Sequence, residues 1–152
     1  MNINIRGRLF DLSKPKVMGI LNLTPDSFYD GGVHNEINKI ENHVNKMVND
    51  GMDILDIGGY SSKPGAKNIS VDEELSRVIP ILKHIRKIFP ELVISIDTFR
   101  SKIASASLNE GADIINDISG GTLDKNMMSI VAKNNCPYIL MHMQGNPQNM
   151  QN

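Results

Sequence analysis

The stretch VMGILNLTPDSFYDGG, residues 17–32, runs a short apolar segment straight into a long polar, glycine-ended one. A β-branched run without strict alternation reads as a strand covered on both faces, and the polar segment after it reads as the loop leaving its C-terminal end. The same design recurs at Ile54-Leu55-Asp56-Ile57, Val93-Ile94-Ser95-Ile96, Ile114-Ile115 and Tyr138-Ile139-Leu140-Met141. Four amphipathic stretches lie between these runs. The first places Ile37, Ile40, Val44, Met47 and Val48 on one helical face and stops at Asp50-Gly51. The second opens on Ser70-Val71-Asp72-Glu73, where Ser70 and Glu73 make a capping box, and continues through Leu75, Val78, Ile79, Leu82 and Ile85. Pro80 inside it is expected to kink it. The third spans about Ser101 to Glu110 with Gly111 as its stop, and the fourth carries Leu123, Met127, Ile130 and Val131. Residues 3–12 read as a hairpin with Arg6-Gly7-Arg8 at the turn and Ile3, Ile5, Leu9 and Phe10 as its apolar side.

Strands alternating with helices mean parallel strands joined by crossovers. An open doubly wound sheet of five strands is complete at about this length. A (β/α)8 barrel needs roughly 250 residues, so these would form only its first five strands and four helices. Periodicity alone favours the open sheet, because part of a barrel leaves two raw edges. The loops must decide.

Composition narrows the function first. The 152 residues carry 16 Lys+Arg against 17 Asp+Glu, a net charge of -1, and are 40% apolar. This is one globular domain, residues 1–152, without the basic footprint of a nucleic-acid binder. No apolar run reaches the roughly 20 residues of a membrane span. A lone Cys136 excludes an internal disulfide framework and fits the cytoplasm.

All five strand ends carry polar or glycine-rich residues, and in either architecture those ends build the site. Asn22 offers a neutral carbonyl oxygen suited to a Mg²⁺ balanced by substrate phosphates, or else caps its own turn. Phe28, near Gly31-Gly32, closes over a flat guest or anchors its loop. Gly58-Gly59 and Ser61-Ser62-Lys63-Pro64-Gly65 can turn backbone donors and hydroxyls toward an anion, although the spacing is not that of a P-loop and an ordinary turn is the commoner use. Asp97 and Asn116 end adjacent strands. A carboxylate accepts from ring N–H and amino groups and an amide both gives and accepts, so the pair suits the edge of a nitrogen heterocycle better than a phosphate. Asp97 alternatively N-caps the helix after it. Asp117 is read as bonding loop backbone. His142, without a second ligand at metal spacing, is read as structural. No nucleophile elbow or paired-carboxylate motif is present, and no catalytic residue is assigned.

Together these segments resemble a known family. Asn22-Leu-Thr-Pro-Asp-Ser-Phe28 with Asp30-Gly31-Gly32 resembles the first signature of the dihydropteroate synthases, pterin-binding barrel enzymes. Gly58-Gly59-x-Ser-Ser-Lys-Pro-Gly-Ala66 resembles the second. Ser95-Ile-Asp97-Thr98, Ile115-Asn116-Asp117 and Leu140-Met-His142-Met143-Gln-Gly-x-Pro147 are similar to the next three, in order and spacing. The resemblance implies an incomplete (β/α)8 TIM barrel with an N-terminal hairpin, overriding the length argument. It also implies a reaction of folate biosynthesis: the amine of para-aminobenzoate attacks the methylene carbon of hydroxymethyl-dihydropterin pyrophosphate, and pyrophosphate leaves first. By position, Asn22 would meet Mg²⁺-pyrophosphate, and Asp97, Asn116 and Met143 would hold the pterin. Phe28, Ser62 and Pro64 would wall the para-aminobenzoate pocket, where sulfonamides compete.

Two departures stand out. Tyr60, Ser62 and Lys63 occupy positions where the family usually has Glu, Thr and Arg; Lys keeps the charge but loses the planar fork. The family's later strands supply a further Asp, a Lys, an Arg and a His that these residues lack, so little activity is expected of them alone. The family commonly forms homodimers through later helices, and no dimer is read from this sequence. The competing readings are a catalytically silent pterin-binding module, a related pterin-barrel methyltransferase and a flavodoxin-like domain.

Overall fold

The computed structural model describes residues 1–23, 33–61 and 68–142. A hairpin of β1 (Asn2–Ile5) and β2 (Arg8–Asp11) precedes β3 (Met18–Asn22), α1 (Val33–Asn49), β4 (Ile54–Gly58), α2 (Val71–Ile88), β5 (Val93–Asp97), α3 (Ser101–Asn109), β6 (Ile114–Asp117), α4 (Met127–Asn134) and β7 (Tyr138–Leu140). Phe28, Ser62, Lys63, Pro64 and Met143 lie outside the described residues.

The parallel sheet has the order β3-β4-β5-β6-β7, each strand laid beside its predecessor. A doubly wound sheet reverses at a switch point and takes helices on both faces. The described strands show no reversal, and the four described helices all pack on one face. Leu21, Leu55, Ile57, Ile94, Ile96 and Ile115 point into a single core with Ile40 and Val44 of α1, Val78, Leu82 and Ile85 of α2, Ile103 and Ala104 of α3, and Met127 of α4. The sheet is an arc of a (β/α)8 barrel, so the open sheet favoured by periodicity is set aside. Length misleads because a strand run carries no record of which side the next strand joins.

Alternate residues face the inside of the arc in rows set by the parallel register. Met18, Ile54 and Val93 form the lowest row, Ile20, Asp56, Ser95 and Ile114 the next, and Asn22, Gly58, Asp97 and Asn116 the highest. The hairpin plugs the low end, packing Ile3, Ile5 and Phe10 on Met18, Ile54, Val93 and Ile114. Arg6 and Gly7 both take positive φ, 51° and 79°, in the tight turn that the right-handed twist of a hairpin favours. Leu9 is a correction: it pairs with Asn4, on the face away from Ile3 and Phe10, and is exposed. Full cover on both faces also holds only for the inner strands. On the edge strands Ile20 is 61% and Leu140 60% exposed.

Helix boundaries obey local chemistry. α1 ends before Gly51 at φ 98°, and α3 before Gly111 at φ 98°. Ser70 Oγ accepts from Glu73 N at 3.1 Å, as a capping box requires, but the Glu73 carboxylate turns outward to Arg77 at 2.6 Å. Pro80 does not end α2, which runs on to Ile88. α4 begins at Met127 and closes on Asn135 at φ 48°, leaving Leu123 outside the helix and exposed.

Candidate binding site at the strand ends

Asn22, Gly58, Asp97 and Asn116 stand side by side on four successive strands, on the same face and at the same height. Gly58 is the gap in this row. A Cβ built there would lie 3.5 Å from Asp97 Oδ2 and 3.6 Å from Asn22 Oδ1, so the two functional oxygens flank an empty notch. The expected convergence of Asn22, Asp97 and Asn116 is therefore present.

One layer down, Asp56 takes a hydrogen bond from Asn116 Nδ2 at 3.0 Å. That commits one of the amide's two N–H donors downward, while its oxygen remains an acceptor for a guest. Asp56 Oδ1 and Ser95 Oγ are buried without a hydrogen-bond partner. Burial pushes the Asp56 carboxyl above the ordinary range. Asp97 is pushed up to about 7, first by burial and then by the charges of Asp56, Glu74 and Asp117. Such a surface repels anions and welcomes N–H donors, which supply what its carboxylates lack. Asp97 does not cap a helix: Ser101 N, at the start of α3, donates instead to Asp124 Oδ2 at 2.7 Å. Asp117 is spent on its loop, as expected, accepting from Ser119 N, Ser119 Oγ, Gly121 N and Tyr138 Oη. His142 is exposed, two residues past the end of β7.

Sequence reasoning missed Asp56, Glu74 and Arg100. Glu74 is fully buried, with Oε1 accepting from Thr98 Oγ1 at 2.8 Å and Oε2 from Arg100 Nη1 at 2.8 Å. Burial still holds its carboxyl above the ordinary range against those partners. Its signal was present: Glu74, Val78, Leu82 and Ile85 share one helical stripe, so a carboxylate stood at a core position.

Gly59 differs from its neighbour. A Cβ there would meet Val78 Cγ2 at 2.7 Å and Glu74 Cγ at 3.2 Å, so glycine lets α2 approach. Its carbonyl accepts from Arg77 at 3.0 Å. We expect Gly59→Ala to cost about 1–3 kcal/mol in urea unfolding through overpacking. Gly58→Ala, whose new methyl meets only ordinary contacts, should fold normally and lose ligand by filling the notch. Equal stabilities for the two variants would contradict this.

Among the described residues no group of three His, Cys, Asp or Glu could hold a metal ion. Asn22 is a single exposed, neutral oxygen at the rim. That donor suits a Mg²⁺ carried in by a diphosphate and its waters.

An arc of parallel strands backed by helices, with carboxylate and amide side chains in one row at the strand ends, is part of a (β/α)8 barrel with its candidate site at that end. The chain belongs to the pterin binding enzyme family, which it matches over residues 18–152. It is 47% identical to the dihydropteroate synthase of Escherichia coli K12, covering 99% of this chain and 53% of that protein. It is 50% identical to the mitochondrial folate synthesis bifunctional protein of Arabidopsis thaliana, over 97% of this chain and 27% of that one. The crystal structure of Yersinia pestis dihydropteroate synthase with a sulfonamide drug superposes with a TM-score of 0.86 at 42% identity, over 99% of this chain and 54% of that one. The chain thus spans about half the length, or less, of these relatives. No helix among the described residues is long and apolar enough to cross a membrane.

Proposed function

We propose that this chain supplies the pterin-gripping part of a dihydropteroate synthase of folate biosynthesis. The observation that carries the reading is the single row of Asn22, Asp97 and Asn116 around the Gly58 notch. Asp97 accepts from ring N–H and amino groups of hydroxymethyl-dihydropterin pyrophosphate, and the Asn116 oxygen accepts beside it. The carboxylates keep the pyrophosphate away from this floor and toward Asn22. Mg²⁺ bound there with the diphosphate would neutralise the charge that grows on the leaving group. The bond from the methylene carbon to the pyrophosphate oxygen breaks, the amine nitrogen of para-aminobenzoate bonds to that carbon, and the amine proton passes to solvent. Little covalent work falls to the protein, and holding the ring is its main contribution. Phe28, Ser62 and Pro64 wall the arylamine and Met143 packs near the pterin, by resemblance to the family. A cytoplasmic setting agrees with the lone, partly buried Cys136.

The test is a chimera in which the C-terminal half of the Escherichia coli relative is joined after this chain, assayed for dihydropteroate from both substrates. We expect turnover, and a loss of about 10- to 100-fold in kcat/KM for Asn116→Leu, the worth of a hydrogen bond to a buried polar guest. A folded chimera that neither binds pterin nor turns over would sink the reading.

A further inference from the structure

We infer that Asp56 is a positioning residue that fixes which corner of the Asn116 amide meets the pterin, an inference that rests on the pterin-gripping role proposed above. The oxygen and nitrogen of that amide are two corners of one plane, and a half-turn about the last side-chain bond exchanges them. Asn116 on β6 stands level with Asp97. Its Nδ2 nevertheless donates at 3.0 Å to Asp56 Oδ2, one row lower and on the far side of β5. An ionised carboxylate accepts and cannot donate. The exchanged amide would set two oxygens against each other across the same gap. Asp56 therefore admits one of the two orientations, with nitrogen toward the lower row and oxygen kept for the N–H groups of a guest.

Packing does not ask for a carboxylate at this position. Asp56 shares its row with Ile20, Ser95 and Ile114 and sits in a strand whose five residues are all buried. Asn116 is only half-buried, so its amide could turn to water without this bond. Among the described residues Asp56 Oδ1 has no hydrogen-bond partner, and burial holds the carboxyl above its ordinary range. Each of these costs the fold stability. The other buried acids beside the site differ. Glu74 has Thr98 on one oxygen and Arg100 on the other, and Asp117 has both oxygens served by its loop and Tyr138. Asp56 alone of the three leaves one oxygen empty while the other holds a residue of the upper row. A destabilising carboxylate in that relation to a site residue fits a requirement of function better than one of packing.

Two nearly isosteric substitutions in the chimera, alone and together, test this by calorimetric binding of hydroxymethyl-dihydropterin pyrophosphate. Asp56→Asn can face Asn116 with either corner of its own amide, so it frees the orientation and keeps the shape. Its affinity should fall only about two- to threefold, the share of amides left in the competent orientation. Its urea midpoint should stay at or above the parent's, because the buried charge is gone, and KM for para-aminobenzoate should stay within about twofold. Asn116→Asp alone sets two carboxylates on one contact, and at pH 9, where a proton is shared least, it should bind about 100-fold more weakly. Combining the two exchanges the partners: the donor now stands below, and the carboxylate above it offers only acceptors. The double variant should regain at least about tenfold of the Asn116→Asp loss, although each change weakens binding by itself. Losses that merely add in the double variant, or a lowered midpoint in Asp56→Asn with both substrates weakened together, would overturn the inference. A wild-type chimera that binds no pterin would remove the parent reading and this one with it, whereas a binding parent with additive losses removes only the role of Asp56.

Discussion

Asp97→Asn is expected to stabilise the protein at pH 8 and to destroy its hold on a pterin. The Asp97 carboxyl rises from the ordinary 3.8 to about 7, first through burial and then through Asp56, Glu74 and Asp117. An acid whose folded pKa is raised keeps its proton more tightly in the folded state than in the unfolded chain. Stability is therefore full below pH 3.8, falls through the window from 3.8 to about 7, and stays low above it. A rise of that size corresponds to up to about 4 kcal/mol at pH 8. Asparagine has nearly the same shape and no charge to bury, so the variant should unfold later in urea at pH 8. Its thermal midpoint should rise by roughly 10 °C. At pH 4 the two proteins should unfold almost together. A stability difference independent of pH would refute the assignment. The same exchange turns an acceptor partly into a donor facing the guest's N–H groups, so pterin affinity should collapse. The gain and the loss share one cause: a carboxylate held where the fold disfavours its charge, awaiting a guest that can donate to it.

Much of this site was legible because strand ends are where chain order becomes chemistry. Asn22, Asp97 and Asn116 each come after an apolar run at the same offset, and a parallel register turns equal offsets into one row. The strand order was not legible from periodicity, and the five motifs read in sequence had to supply it. Asp56 was hidden for a related reason. It sits inside an apolar run, where alternation between helix side and hollow side is masked when both are covered. Leu9 went astray by one residue of hairpin register, which in a strand flips the face. Arg100 could not be found at all, because its partners Tyr60, Asn68, Ile69 and Glu74 are brought together only by the β4–α2 turn and the helix after it.

Arg86→Met should be the most destructive single change away from the site. Arg86 Nε and Nη2 donate to Gly111 O at 3.0 and 2.7 Å, Nη1 to Leu92 O at 2.7 Å and to Pro90 O at 3.0 Å, and Nη2 to Asp113 Oδ2 at 2.7 Å. The Asp113 side chain is fully buried, and it also accepts from Ile94 N at 2.9 Å. Its other oxygen faces Arg6 of the hairpin turn at 2.9 Å, and Arg6 in turn donates to Pro90 O at 2.7 Å. Methionine would fill the stem's volume and strand a buried carboxylate with a half-exposed partner, together with backbone carbonyls that no longer have a donor. Breaking a buried pair in this way costs about 3–5 kcal/mol, read as a shift in the urea midpoint without a change in slope. Adding Asp113→Asn should recover part of the loss, because the stranded charge is then gone, and the double-mutant cycle measures that coupling. The network lies at the hairpin end of the arc and Asp97 at the other. Arg86→Met should therefore leave untouched the pH window in which Asp97→Asn differs from its parent. A cost below about 1 kcal/mol, or a displaced window, would mean that the two ends of the barrel are not independent.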